Sequence, residues 1–80
     1  MKCKILYKSK NRLRVHLFHN NMSLKEADII EYYFRNIPQA KDVQVFDRTS
    51  DVVVLFRGDI NEIINAFASF HMKDINNFSL

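Results

Sequence analysis

Within Asn20-Asn21-Met22-Ser23-Leu24-Lys25-Glu26 a strand has to end and a helix begin, and this junction narrows the folds open to the chain. Ser23-x-x-Glu26 ahead of an apolar-periodic run is a capping box: the Ser23 side chain accepts from the Glu26 N–H, and the Glu26 side chain accepts from the Ser23 N–H. Beyond it Ala27, Ile30, Phe34 and Ile37 share one stripe while Lys25, Asp28 and Tyr32 turn away, which predicts an amphipathic helix over 23–36 laid on a sheet. Pro38 ends that helix, because the residue before a proline is pushed out of the helical region.

Upstream, the odd positions Cys3, Ile5, Tyr7, Ser9, Asn11, Leu13, Val15 and Leu17 alternate with mostly basic even ones, the period of a half-buried strand. At ~3.3 Å per residue a single strand of this length would outrun a small domain. Ser9-Lys10-Asn11 is therefore expected as a hairpin turn, with Asn11 suited to the left-handed conformation. Downstream, Val43-Gln44-Val45-Phe46 reads as a strand, Arg48-Thr49-Ser50-Asp51 as a turn, and Val52 to Phe56 as another strand. A second helix is expected from Asp59 to Phe70, capped by Asp59 with Glu62 closing a second box, and burying Ile60, Ile63, Ile64, Phe67 and Phe70. This order predicts an α+β fold, a ferredoxin-like split βαβ sandwich (βαββαβ) whose antiparallel sheet carries both helices on one face. Two segments compete for the edge of the sheet, the C-terminal Asn76-Asn77-Phe78-Ser79-Leu80 and the N-terminal Cys3 to Tyr7. The domain is expected to span 1–72, with 73–80 a tail or the start of a linker.

Eighty residues allow one core but not a deep catalytic cavity as well, so binding is the expected mode of action. A hydrophobic content of 48% with one glycine and one proline argues for a compact chain over a disordered one. No apolar run approaches the roughly 18 residues that span a bilayer, Met1-Lys2-Cys3-Lys4 is not followed by a signal-peptide core, and the single cysteine has no internal partner. A cytoplasmic domain is the expectation. Half of the 12 lysines and arginines fall within residues 1–18, where there is no acid. A basic edge of this kind suits an acidic protein surface, anionic lipid or nucleic acid, or is simply a row of solvated side chains guarding a strand edge.

Phe18 and Phe46 have the opposite parity from Leu17 and Val45, and Val52 to Phe56 is apolar throughout, so apolar groups face both ways. Arg12, Arg14, His16, Phe18 and Phe46, with either Val53 and Leu55 or Val52 and Val54, are expected to form a docking surface on the open sheet face, unless some of them pack beneath the tail or Tyr7. Cys3, His16, His19 and Met22 are the candidate metal ligands. They are few and badly spaced for a tetrahedral zinc site, and Cys3 with Met22 is a thin donor set for Cu(I). No cofactor is expected, and weak transition-metal binding is the most these residues allow. Cys3 has no activating base beside it, His71 suits a structural place near a helix C-terminus, and Gly58 alone makes no phosphate loop. A basic strand beside exposed aromatics is also how RNA-recognition modules are built, but Val52-Val53-Val54-Leu55-Phe56 stands where their glycine-aromatic octapeptide would be.

This order of elements, with Asn11-Arg12-Leu13-Arg14 in place of a Gly-Arg-Ile/Leu-Arg segment and Ile37-Pro38-Gln39-Ala40 in place of a Leu-Pro-Gly-Val helix end, resembles the heavy-metal-associated domains of metal-transporting P-type ATPases and copper chaperones. Those domains hold metal with a Cys-x-x-Cys clamp; in this register the two thiols fall on Ser23 and Glu26, neither of which can be a thiolate. The resemblance, over roughly residues 2 to 72, implies a degenerate form, the cytoplasmic N-terminal docking or regulatory domain of a heavy-metal cation-transporting P-type ATPase. It implies partners among that ATPase's other cytoplasmic domains, contact with the membrane only through the rest of that protein, and no enzymatic activity in this chain alone. The alternatives from other classes are a small RNA-binding module, with nucleic acid not the expected partner, and a free-standing protein-interaction adaptor that self-associates.

Overall fold

The computed structural model describes residues 2–70. Strands β1 (Cys3–Lys8) and β2 (Arg12–Leu17) are followed by helix α1 (Leu24–Arg35), strands β3 (Ala40–Phe46) and β4 (Asp51–Phe56), and helix α2 (Ile60–Ser69). One four-stranded sheet runs in the order β1-β2-β4-β3, with every neighbouring pair antiparallel. Strands β2 and β3 are thus parallel to each other, joined through α1 and separated by β4, which is the split βαβ unit of a ferredoxin-like α+β fold. The edge beside β2 belongs to β1, so the order here is ββαββα, and of the two candidate edge segments the N-terminal one takes the place. A hairpin reaches that edge through a short turn, closed by the Ser9 N–H on the Arg12 carbonyl at 2.8 Å. The segment Asn76–Leu80, His71 and the boundary at residue 72 lie outside the described residues.

One face of the sheet is the core. Leu13, Val15 and Leu17 of β2, Val43 of β3 and Val52, Val54 and Phe56 of β4 meet Ile29, Ile30 and Phe34 of α1, Ile63 and Phe67 of α2, and Phe70 at its C-cap. The alternation in β2 and the helical spacing in α1 and α2 place these groups together because a strand repeats every two residues and a helix every 3.6. Between the helices Phe34 stacks on Phe67 with ring centroids 4.0 Å apart, and Tyr33 tilts against Phe70 at 4.7 Å. Ile29 joins the buried stripe of α1, which makes it wider than the sequence pattern indicated.

Four local expectations are corrected. A register shift between Ile5 and Tyr7 breaks the strict alternation of β1, so Tyr7 pairs with Arg14 and joins the open face instead of following Ile5. The left-handed non-glycine residues are Asn21 (φ 57) and Ser50 (φ 60), not Asn11. Asp51 is the first residue of β4 and not part of the turn; the turn is 47–50, and the left-handed Ser50 at its end brings Asp51 opposite Phe46. At α2 Asp59 accepts from the Asn61 N–H at 2.9 Å as a simple side-chain cap, without the reciprocal Glu62 bond of a box.

Candidate functional site

Two clusters of hydrogen-bonded polar side chains lie at the end of the sheet where β2 finishes and β4 starts. The first is the strand–helix junction. Asn21, left-handed, turns the chain out of β2, and Ser23 caps α1 with extended backbone. The capping box forms as the sequence predicts: Ser23 Oγ accepts from the Glu26 N–H at 3.0 Å, and Glu26 Oε1 accepts from the Ser23 N–H at 2.9 Å. The second Glu26 oxygen, Oε2, lies 3.0 Å from His19 Nε2. The Ser23 N–H does most to hold the Glu26 carboxyl below its ordinary range; partial burial opposes it, and the Ser23 hydroxyl and His19 add to the lowering. From the neighbouring turn Ser50 Oγ donates to the His19 carbonyl at 2.6 Å, tying the junction to β4. Met22 points inward, 6% exposed within the core.

The second is on the open sheet face, where Asp51, at the head of β4, is the shared partner of two β2 side chains. The β2–β4 register sets His16 opposite Asp51, and Arg14 lies two residues along the same face of β2. Arg14 donates from Nε at 3.2 Å and Nη2 at 2.9 Å to Asp51 Oδ2, while His16 Nδ1 lies 2.9 Å from Oδ1. The Asp51 side chain is only 8% exposed. Burial alone would raise its carboxyl, but the hydrogen bonds and charges of His16 and Arg14 outweigh that and hold it below the ordinary value. Aromatic rings flank this polar centre. Phe46 lies under the Arg14 guanidinium at 5.3 Å, Phe18 meets His16 edge-on at 5.2 Å, and Tyr7 carries Arg12 at 5.7 Å. Phe18 is 60% exposed and Phe46 41%, while of the two parity options for β4 it is Val53 and Leu55 that face outward. Val53 is nonetheless covered, and Leu55 remains exposed.

The residues singled out in the sequence are therefore sorted by the fold. Arg12, Arg14, His16, Phe18 and Phe46 share the open face or its rim. The metal candidates do not assemble: His16 is held by Asp51, His19 by Glu26, Met22 is in the core, and Cys3 is half-buried against it, opposite Leu17. Among the described residues no three His, Cys, Asp or Glu groups are placed to hold a metal ion. Sequence reasoning missed Asp51. The signal available was an acid at the head of an otherwise apolar strand, matched by Arg-x-His on one face of another.

Fold and sites together define a small ferredoxin-like α+β domain with an exposed, aromatic-flanked sheet face and no thiol at its strand–helix junction. No protein-family model matches the chain, and no curated protein sequence matches it. No helix among the described residues is long and apolar enough to cross a membrane.

Proposed function

We propose that this chain is a heavy-metal-associated-type domain without its thiolate clamp, acting in the cytoplasm as a docking or regulatory module of a heavy-metal cation-transporting P-type ATPase. The observation that carries this reading is the junction: within a split βαβ frame, the positions where the resemblance puts two metal-binding thiols hold a closed Ser23–Glu26 capping box with His19 on its outer oxygen. Ser23, Glu26 and His19 are thereby engaged with one another at the start of α1. The activity left to such a domain is binding through its surface, and ATP hydrolysis and transport belong to the remainder of the pump.

The open face suits protein docking because its central charges are paired before any partner arrives. Arg14 through Nε and Nη2 and His16 through Nδ1 are already set on Asp51, so covering this face strips water from a carboxylate that is already compensated. The gain comes from burying Phe18 and Phe46 beside Asp51 and Leu55 further along β4. The test is titration of the 80-residue chain against the actuator and nucleotide-binding domains of a heavy-metal P-type ATPase of the same organism, at about 150 mM salt, where the Debye length is about 8 Å. Binding that survives this salt and is lost in a Phe18→Ala plus Phe46→Ala variant is the expected result. The arginine–aromatic pairs also suit base stacking, and sequence-selective binding of single-stranded RNA on the order of 10⁻⁷ M or tighter, abolished by Phe46→Ala, would replace this reading with an RNA-binding one. The expected outcome with RNA is weak, salt-sensitive and indifferent to sequence.

A further inference from the structure

At the far end of the sheet from the strand–helix junction, three cations from three separate elements border one groove of ≈ 530 Å³: Lys10 in the β1–β2 turn, Lys41 in β3, and Arg57 just past β4. Among the described residues Leu55, Phe56, Asn11 and Gly58 complete its lining, and no carboxylate borders it. All three cations are exposed, and none makes an ion pair among the described residues. The acids nearest in sequence are engaged elsewhere. Asp42 Oδ1 holds Arg35 at 3.1 Å and accepts from the Val43 N–H, and Asp59 Oδ1 accepts from the Asn61 N–H.

The groove is held together by main chain. The Phe56 N–H donates to the Asn11 carbonyl and the Arg57 N–H to the Gln39 carbonyl, both at 2.9 Å, so the hairpin turn, the start of β3 and the end of β4 are fixed to one another. Gly58, at φ +92, makes the reversal from β4 into α2 in a conformation that side chains disfavour. Protection of a strand edge accounts for Lys4 and Lys8 on β1 and for Lys41 on the other edge strand β3, but not for Arg57, which follows the central strand β4. Three uncompensated like charges around one groove repel each other, and a bound anion removes that repulsion. Two lysine ammonium groups with an arginine fork match the oxygens of phosphate, which they bind through charge-assisted hydrogen bonds.

We propose that this groove is a binding site for a phosphate-bearing anion with more than one negative charge, recognised by Lys10, Lys41 and Arg57. The site is independent of the ATPase reading, since it lies away from both the junction and the Asp51 centre. The experiment is an amide-resolved NMR titration of the 80-residue chain with sodium tripolyphosphate at low salt. Shifts concentrated at Lys10, Asn11, Lys41, Arg57 and Gly58 are expected. Lys41→Ala plus Arg57→Ala weakens binding by about tenfold or more, as loss of charge-assisted contacts requires, whereas Lys25→Ala, on α1 outside the groove, leaves it unchanged. Two further arms separate sources of the same chemistry: tighter binding of ATP than of phosphatidic acid vesicles, whose phosphomonoester can carry a second charge, assigns the phosphate to a soluble ligand, and vesicle binding competed by tripolyphosphate assigns it to a lipid headgroup. No response at millimolar tripolyphosphate, shifts spread equally over Lys2, Lys4, Lys25 and Arg48, or full affinity in the folded double variant would each overturn the proposal.

Discussion

His19 Nε2 lies 3.0 Å from Glu26 Oε2 while the other oxygen of that carboxylate accepts from the Ser23 backbone, so one acid closes both the loop and the helix end. The pair joins the last turn of chain before α1 to its first turn, and it depends on the left-handed Asn21 to bring the loop back toward the helix. An acid used at both oxygens is a structural group first.

Ser23→Ala should lower stability by about 1 kcal/mol through loss of the cap, with little change in structure. Denaturant titration measures it, and an unchanged slope confirms that the exposed surface on unfolding is the same. Should Ser23→Ala be neutral while Glu26→Gln alters metal uptake, the junction was built for ligation and the capping argument fails.

The reduced domain should bind Zn(II) and Cu(I) no more tightly than a generic surface site, because neither Ser23 nor Glu26 can replace a thiolate. Competition with a chromophoric chelator reads this directly. Retention of one equivalent with sub-micromolar affinity, lost in a His16→Ala plus His19→Ala variant, would instead establish a histidine site.

Met22 provides an independent check on the same question. As a core residue it should tolerate Met22→Leu at a cost below about 1.5 kcal/mol, while Met22→Ala costs about 2–5 kcal/mol. A ligand would behave otherwise, with Met22→Leu folding normally but weakening Cu(I) binding.

Asp51→Asn should destabilise the domain by about 1–3 kcal/mol at pH 7, since a carboxylate accepting from Arg14 and His16 loses its charge in a nearly buried position. The folded carboxyl is held below its ordinary value of 3.8, so its stabilisation is complete above that value and is lost as pH falls through the lower folded one. Glu26, also lowered, acts in the same direction. Urea unfolding from about pH 5 to pH 3 should show a gap between wild type and Asp51→Asn that narrows below pH 4. A gap that widens as the solution is acidified would refute the arrangement.

Much of the fold was legible because its determinants are local. The capping box at Ser23, the stripe Ala27–Ile30–Phe34 and the stop at Pro38 each act within one or two turns of chain, so α1 begins and ends where they say. Alternation in β2 likewise sorts Leu13, Val15 and Leu17 from Arg12, Arg14 and His16, because neighbouring side chains on a strand point to opposite faces. What the sequence left open depended on which segments lie side by side. Periodicity could not say whether the N- or C-terminal segment would pair with β2, nor foresee the register shift that moved Tyr7 to the open face. Val52 to Phe56, apolar at every position, held no signal for which side chains would face out, and register against β2 decided it for Val53 and Leu55. Asp51 belongs to that same class: 37 residues from Arg14 and 35 from His16, it became their shared partner only when β4 was set beside β2, since a hydrogen bond needs a few ångströms in space and places no demand on distance along the chain.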